Sequence, residues 1–489
     1  MPRRISPPSR RAVLAGGGAA LATSLLRCGA MPTDTTPAGR LEETRLDDQA
    51  VTLVPAQRPL QLAGKSGATP AWLYGDKPYP LFRVSSRKSV NVTLVNGLME
   101  HTSIHWHGVR LRNAMDGVPY VTQLPVQPGK RFQYTFVPPD SGTYIFHSHC
   151  NTAEQFGRGL IGVLVVEEPE GMLFDDDIVL VIKDWRVAED GSFLPFITID
   201  GASRAGSFGT LRTVNGVTAP EIATLAGADL RLRLVNADST RVAELGIEGA
   251  NAFVIAIDGN AVEPFALDGW RLGPAMRVDL ALRSPQAGGK VALVDYFAAQ
   301  PVRLATLASE GVSQHSAAFT PRALKPRGFS EPVVANAQVH QLKLSESAVA
   351  TDYSGLAPIV LPDGSRIDLL DSLCSNGRTL WAIDGKTWPQ NGHEHLPPPL
   401  MTFKRGDTAL IEFLNTTPHV HPMHLHGHSF KVLSASKLQR PVHWADTVLV
   451  MPDERVRIAF VADNPGNWMI HCHIIEHQDT GMMAWFQVT

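Results

Sequence analysis

Cysteine is scarce in this chain, four residues in 489, so no disulfide framework holds the fold. Cys28 lies in the apolar N-terminal stretch, Cys150 and Cys374 read as inert thiols with a mutual bond as the alternative, and only Cys472 sits among metal-ligand residues. A surplus of charge is missing too: 44 Lys and Arg against 47 Asp and Glu leave a net charge of -3. No basic cluster with interleaved aromatics occurs beyond the extreme N-terminus, which excludes nucleic acid as an expected partner. Long apolar runs are absent apart from Ala12 to Leu26, shorter than the roughly 20 residues of a spanning helix, so no stable membrane insertion is expected. Extended 3.6-residue periodicity is rare, which argues against a helical protein.

The one apolar run follows Arg10 and Arg11 in SRRAVLAGGGAALATSLL, the form of a twin-arginine export signal. Residues 1–40 are read as that signal and a flexible stub, and the mature protein as periplasmic or secreted. Arg27 is a poor neighbour for lipidation of Cys28. Export in the folded state suits a protein whose metal site is loaded before or after folding without threading.

The body alternates short Val/Ile/Leu/Thr stretches with Gly, Pro, Asn and Asp turns, the pattern of Greek-key β-sandwiches. Three segments are related: KSVNVTLVN ending at Asn96, ADLRLRLVN ending at Asn236 and DTALIEFLN ending at Asn415. Nine residues beyond each asparagine stand His105, Leu245 and His424; eleven beyond stand His107, Ile247 and His426. The middle copy keeps the fold and carries aliphatics where the outer copies carry histidines. A second repeat aligns SGTYIFHSHC (Gly142, His147, His149) with PGNWMIHCHI (Gly466, His471, His473), placing Ser148 opposite Cys472 and Ala153 opposite His477. Domains are expected at 41–169, 170–330 and 331–489, the last boundary near the Pro-containing FTPRALKPRGFSEP.

Four His-x-His pairs result: His105/His107, His147/His149, His424/His426 and His471/His473. On a strand, residues i and i+2 share a face, so each pair can chelate while its middle residue looks the other way. His471 and His473 then face the other imidazoles, and Cys472 belongs to a separate site with His421, His477 and Met482. A thiolate, two imidazoles and a weak thioether suit a copper ion passing single electrons. Eight further imidazoles demand a substrate of their own, and dioxygen fits: one copper plus a cluster of three stores the four electrons that reduce it to water. Zinc has no redox role and does not need such a cluster.

HWHG, HSH, HPMHLHG and HCHIIEHQDTGMM resemble the four copper motifs of the three-domain multicopper oxidases, the bacterial laccase-like family, and the likeness spans nearly the whole mature chain. It implies an all-β chain of three consecutive cupredoxin-like Greek-key β-sandwich domains and four copper ions. His105 and His424 would hold the type 2 copper; His107, His147, His149, His426, His471 and His473 the type 3 pair; His421, Cys472, His477 and Met482 the type 1 copper. Asp116 in MDGVP matches an acidic residue that assists protonation near the cluster, with a turn aspartate before Gly117 as the plain alternative. Bacterial relatives often place a glutamate after the last type 1 histidine; here Gln478 stands there, with Glu476 and Asp479 as substitutes to be tested. His101, His315, His340, His393, His395, His419, His428 and His443 fall outside the pairs and are read as structural.

The expected activity is one-electron oxidation of a phenol or aromatic amine near His477 coupled to oxygen reduction, by a monomer. The nearest rival oxidises Cu(I) or another reduced metal ion, but the 12 methionines are scattered and form no Met-rich segment. A copper nitrite reductase would have two domains and no fourfold His-x-His set. A copper-free structural protein would have lost ligands, whereas all twelve positions, ten His with Cys472 and Met482, are filled.

Overall fold

The computed structural model describes residues 39–346, 380–388 and 396–489, with the backbone of the short strands Ile359–Val360 and Arg366–Ile367. The export segment, Cys374, His393 and His395 lie outside the described residues. Alternation does what the sequence implies: Val90–Val95 buries Val90, Val92 and Leu94 on one face. These meet Phe82, Trp106, Tyr144, Phe146 and Leu164 of a facing sheet to form the first core. At about 1.5–3 kcal/mol per large side chain buried, such a layer drives closure of the sandwich.

Three sandwiches follow along the chain. In each, an early strand pairs parallel to the strand that ends at, or one residue before, a repeat asparagine: Ala50–Leu53 with Val90–Val95, Asp176–Trp185 with Asp229–Asn236, and Val339–Glu346 with Thr408–Asn415. The remaining strands are mostly antiparallel, and non-consecutive neighbours give the expected Greek-key order. Among the described residues helices are short, and none is long and apolar enough to cross a membrane.

The repeat asparagines have one shared task. Asn96 donates to the carbonyls of Glu100 and Val126, Asn236 to those of Arg241 and Leu272, and Asn415 to those of His419 and Val450. Each also accepts, through Oδ1, the backbone N–H two residues on. A buried amide therefore sets the turn that aims the following strand, and this is why the histidine offsets match. In the middle copy Leu245 is fully buried and Ile247 packs against the same apolar core.

The histidine strands pair in register. His105–His107 lies antiparallel to Gly142–His147 with His105 opposite His147, and His421–Leu425 lies antiparallel to Gly466–Cys472 with His424 opposite His471. The middle residues point away: Trp106 into the first core, Leu425 and Cys472 into the third.

Candidate metal centre

The eight paired histidines converge between the first and third sandwiches, every one of them buried. Rings stack across the junction, His105 on His426 at 3.8 Å between centroids and His107 on His424 at 3.6 Å. His147 meets His473 at 5.3 Å and His149 meets His471 at 5.2 Å. Ligand-type nitrogens fall into overlapping triads, His105/His107/His147, His105/His424/His426 and His149/His426/His471, each within 4.8 Å.

Backbone and carboxylate partners fix which nitrogen each ring presents. Nδ1–H of His105 donates to the Asp116 carbonyl (2.9 Å), that of His147 to the Ser148 carbonyl (2.9 Å), that of His424 to the Asp446 carbonyl (2.8 Å) and that of His471 to the Cys472 carbonyl (3.0 Å). His426 Nδ1–H donates to Asp116 Oδ2 at 2.8 Å. His107 is turned the other way, its Nε2–H donating to Asp446 Oδ1 at 3.0 Å. The inward nitrogens of His105, His107, His147, His149, His424 and His473 have no partner. His426 Nε2 and His471 Nε2, each with its proton committed elsewhere, face one another at 3.1 Å. Orphaned buried polar atoms cost about 1–3 kcal/mol each, so this many lone pairs in one cage fits metal cations and little else. Burial and mutual repulsion push His107, His147, His149, His424, His426 and His473 well below the usual imidazole pKa, and His471 to about 4, which keeps the lone pairs free.

On the other face of the same strand lies the second site. Cys472 Sγ is 3.6 Å from His421 Nδ1 and 3.7 Å from His477 Nδ1, and the two nitrogens are 3.2 Å apart. His421 Nε2–H donates to Thr417 Oγ1 (2.8 Å) and His477 Nε2–H to the Arg204 carbonyl (2.6 Å), so both Nδ1 lone pairs aim at the sulfur. Met482 is fully buried in the same apolar cluster as Cys472, and its carbonyl accepts the Cys472 N–H at 3.0 Å. Burial pushes the Cys472 thiol far up, so its thiolate needs a metal partner.

Asp116 serves both readings at once. It ends the 3-10 turn Asn113–Met115, and its buried carboxylate also lies 3.3 Å from His105 Nδ1 besides holding His426. Gly117 follows at φ +81, where a Cβ would enter the Ile104 carbonyl.

Gln478 donates to Thr152 Oγ1 (3.1 Å) and Asp479 Oδ1 (3.2 Å), and Asp479 accepts the Ala153 N–H (2.9 Å) with its pKa pushed up to about 6 by burial. Glu476 is committed elsewhere, to Thr198 N, Ser207 N and Ser207 Oγ of the second sandwich.

Two features escaped the sequence. Asp446, in the unremarkable HWADTVLV, holds His107 and is held by a bidentate Arg277 (2.9 and 2.5 Å), a fully buried guanidinium of the second sandwich that also pairs with Asp258 (3.4 Å). The first sandwich, moreover, fills the place of the thiolate site with a neutral polar knot: Gln155 Oε1 accepts from Thr102 Oγ1 (2.7 Å) and Ser148 Oγ (2.5 Å). Thr102 precedes His105 by the offset at which His421 precedes His424, a signal that was available. Of the single histidines, His428 and His443 are buried, with pKa values near 3 and 4, and His315 pairs with Asp175 at 2.7 Å. Cys150 is a buried free thiol 3.6 Å from Ser103 Oγ, its pKa pushed up to about 12 by burial.

Residues 59–171, 187–310 and 373–489 each match a multicopper oxidase domain model. The chain is similar to the crystal structure of a multi-copper oxidase from Pseudomonas thermotolerans, with 36% identity and a TM-score of 0.79 over 92% of this chain and 100% of that one. It is also similar to the multicopper oxidase MmcO of Mycobacterium tuberculosis (29% identity, 97% of this chain and 95% of the relative). Laccase-5 of Trametes versicolor shares 27% over 84% of each chain. Three matched domains, full-length similarity and a histidine cage of the required kind lead to one conclusion: the chain belongs to the multicopper oxidase family.

Proposed function

We propose that this copper oxidoreductase, with oxygen as its acceptor, is laccase-like, taking single electrons from phenols or aromatic amines. Copper is its cofactor, four ions in the family pattern. His421, Cys472, His477 and Met482 would hold the type 1 ion, His105 and His424 the type 2 ion, and the other six paired histidines the type 3 pair. Bound copper supplies one-electron oxidation of the donor and four-electron reduction of dioxygen to water.

The protein's own part is to hold the donor atoms and manage protons. Asp116 and Asp446 fix the imidazole tautomers from opposite sides of the cage. Asp116 is placed to pass a proton inward, being a buried carboxylate between His105 and His426. The strand Gly466–Cys472 joins the two sites, because Cys472 faces one and its neighbours His471 and His473 the other. The observation that carries the reading is the pair of ligand sets on opposite faces of that strand, unpartnered imidazole nitrogens on one and the Cys472 thiol with the Nδ1 atoms of His421 and His477 on the other.

Relatives include proteins described as iron transport oxidases as well as laccases, so oxidation of a reduced metal ion is the second reading. The twin arginine and short apolar run support export to the periplasm or beyond. Oxygen uptake by the copper-loaded protein with a phenol, an aromatic amine, Cu(I) and Fe(II) decides between donors. Turnover confined to metal ions would overturn the laccase-like reading.

A further inference from the structure

The edge of His477 through which a donor would be expected to approach is roofed. His477 is fully buried, and its Nε2–H is already taken by the Arg204 carbonyl at 2.6 Å. The roof is a strap of the second sandwich, residues 198–207, built around the short helix Ile199–Ala202. Its neck is closed by Thr198 Oγ1 against Ser207 Oγ (2.7 Å), and its inside by Gly206 N–H donating to the Gly201 carbonyl (2.9 Å). Glu476, next to His477 in the chain, clamps both ends through Thr198 and Ser207. Trp381, its ring tilted against that of His477 with centroids 4.5 Å apart, donates its indole N–H to the Ala202 carbonyl at 2.6 Å. A Cβ at Gly201 would strike Glu476 and Ser207, so the fit leaves no slack.

The outer face of this strap opens on a groove of about 650 Å³, large enough for one substituted aromatic ring. Ile197, Ile199 and Phe208 give it apolar walls, and Arg186, Arg204 and Asp200 its charges. The groove lining holds no methionine, cysteine or histidine, the side chains that would retain a soft metal ion. Arg186 is held by the Pro195 and Phe208 carbonyls, so the exposed Arg204 guanidinium is the cation an anionic ring would meet. The Arg204 side chain is 73% exposed and that of Asp200 88%, and the two form an exposed ion pair at 4.0 Å that a ligand carboxylate can displace.

We infer that the strap is the donor-docking element: an aromatic carboxylate or phenolate binds in this groove, and its electron enters His477 through the Arg204 peptide and the hydrogen bond at its carbonyl. This rests on the laccase-like reading and adds where the donor sits and what charge it carries. Each donor loses one electron to become a phenoxyl radical, a protonated phenol also releasing its hydroxyl proton to solvent at the groove mouth, and four such electrons with four protons from solvent convert dioxygen to two waters.

The test compares syringate with its methyl ester on the copper-loaded enzyme, and binding of the non-oxidisable 3,4,5-trimethoxybenzoate by calorimetry. Arg204→Glu should lower the acid-to-ester ratio of kcat/KM and weaken trimethoxybenzoate, each by about fivefold or more, as befits reversal of an exposed charge. Asp200→Lys should move both quantities the opposite way, with the type 1 potential unmoved in either variant. Ratios and affinities within twofold of wild type in both variants would overturn the groove assignment while leaving the laccase-like reading intact. A shifted potential accompanying the change would overturn it too, by assigning the effect to the metal site. A wild-type enzyme that oxidises neither syringate nor its ester would overturn the reading and the groove together.

Discussion

Arg277 gives the sharpest mutational prediction because the second sandwich holds no ligand and yet reaches the cage through this side chain. The guanidinium is fully buried. It makes two hydrogen bonds to Asp446, donates to the carbonyls of Thr143 (3.1 Å) and Ala275 (3.1 Å), and lies 3.4 Å from Asp258 Oδ1. Thr143 belongs to the first sandwich and Asp446 to the third, so one residue ties all three. Arg277→Met would leave Asp446 and Asp258 buried without their cation. Breaking a buried pair in this way costs about 3–5 kcal/mol, corresponding to a fall in Tm on the order of 5–15 °C. Asp446 would then lose the fork that orients it toward His107, and His107 Nδ1 would no longer be held free toward the cage. The assay is calorimetry of the copper-free protein together with copper content after reconstitution. Arg277→Lys should lie between, since an ammonium keeps the charge and loses the fork. A Met variant with unchanged Tm and full copper content would refute the argument.

Further outcomes follow from the same geometry. Cys472→Ser should abolish the blue absorption while the protein stays folded by circular dichroism; persisting colour would move the type 1 site elsewhere. Met482→Leu should raise the type 1 potential in a redox titration, because an aliphatic side chain removes the weak axial ligand. Asp116→Asn should slow oxygen uptake by about a hundredfold, the usual weight of a proton-transfer group, while anaerobic reduction by the donor proceeds at its normal rate. His443 is held neutral by burial with a folded pKa of about 4, below its unfolded value near 6.5. The unfolded chain therefore binds the extra proton first, and stability falls as pH drops from 6.5 toward 4. His443→Phe should remove about 2 kcal/mol of that loss at pH 5 in denaturant titrations of the copper-free protein.

The histidine pairs were legible because period-2 geometry and the repeat act on side chains whose identity is printed in the sequence. Asn96, Asn236 and Asn415 marked the repeat, although their bridging hydrogen bonds emerged only with the strands they join. Asp116 was legible as a candidate and ambiguous in role, since a turn aspartate and a histidine-holding carboxylate look alike until His426, far along the chain, is brought to it. Asp446 and Arg277 gave no signal at all: Asp446 sits in the break between the strands His443–Ala445 and Thr447–Val450, Arg277 opens the strand Arg277–Arg283, and the meaning of each lies in a partner from another sandwich. The roof over His477 was equally hidden, because its decisive group is a backbone carbonyl, which every residue carries. Glu476, open in the sequence as a substitute for the missing glutamate, spends its carboxylate on Thr198 and Ser207.

The central claim is that one strand, Gly466–Cys472, serves two metal sites on its two faces. Elemental analysis of the reconstituted protein tests it most directly. Wild type should hold four copper ions per chain, and Cys472→Ser should hold three with the cluster's spectroscopic signals intact. One copper per chain in wild type, or loss of all copper on the single substitution, would contradict it.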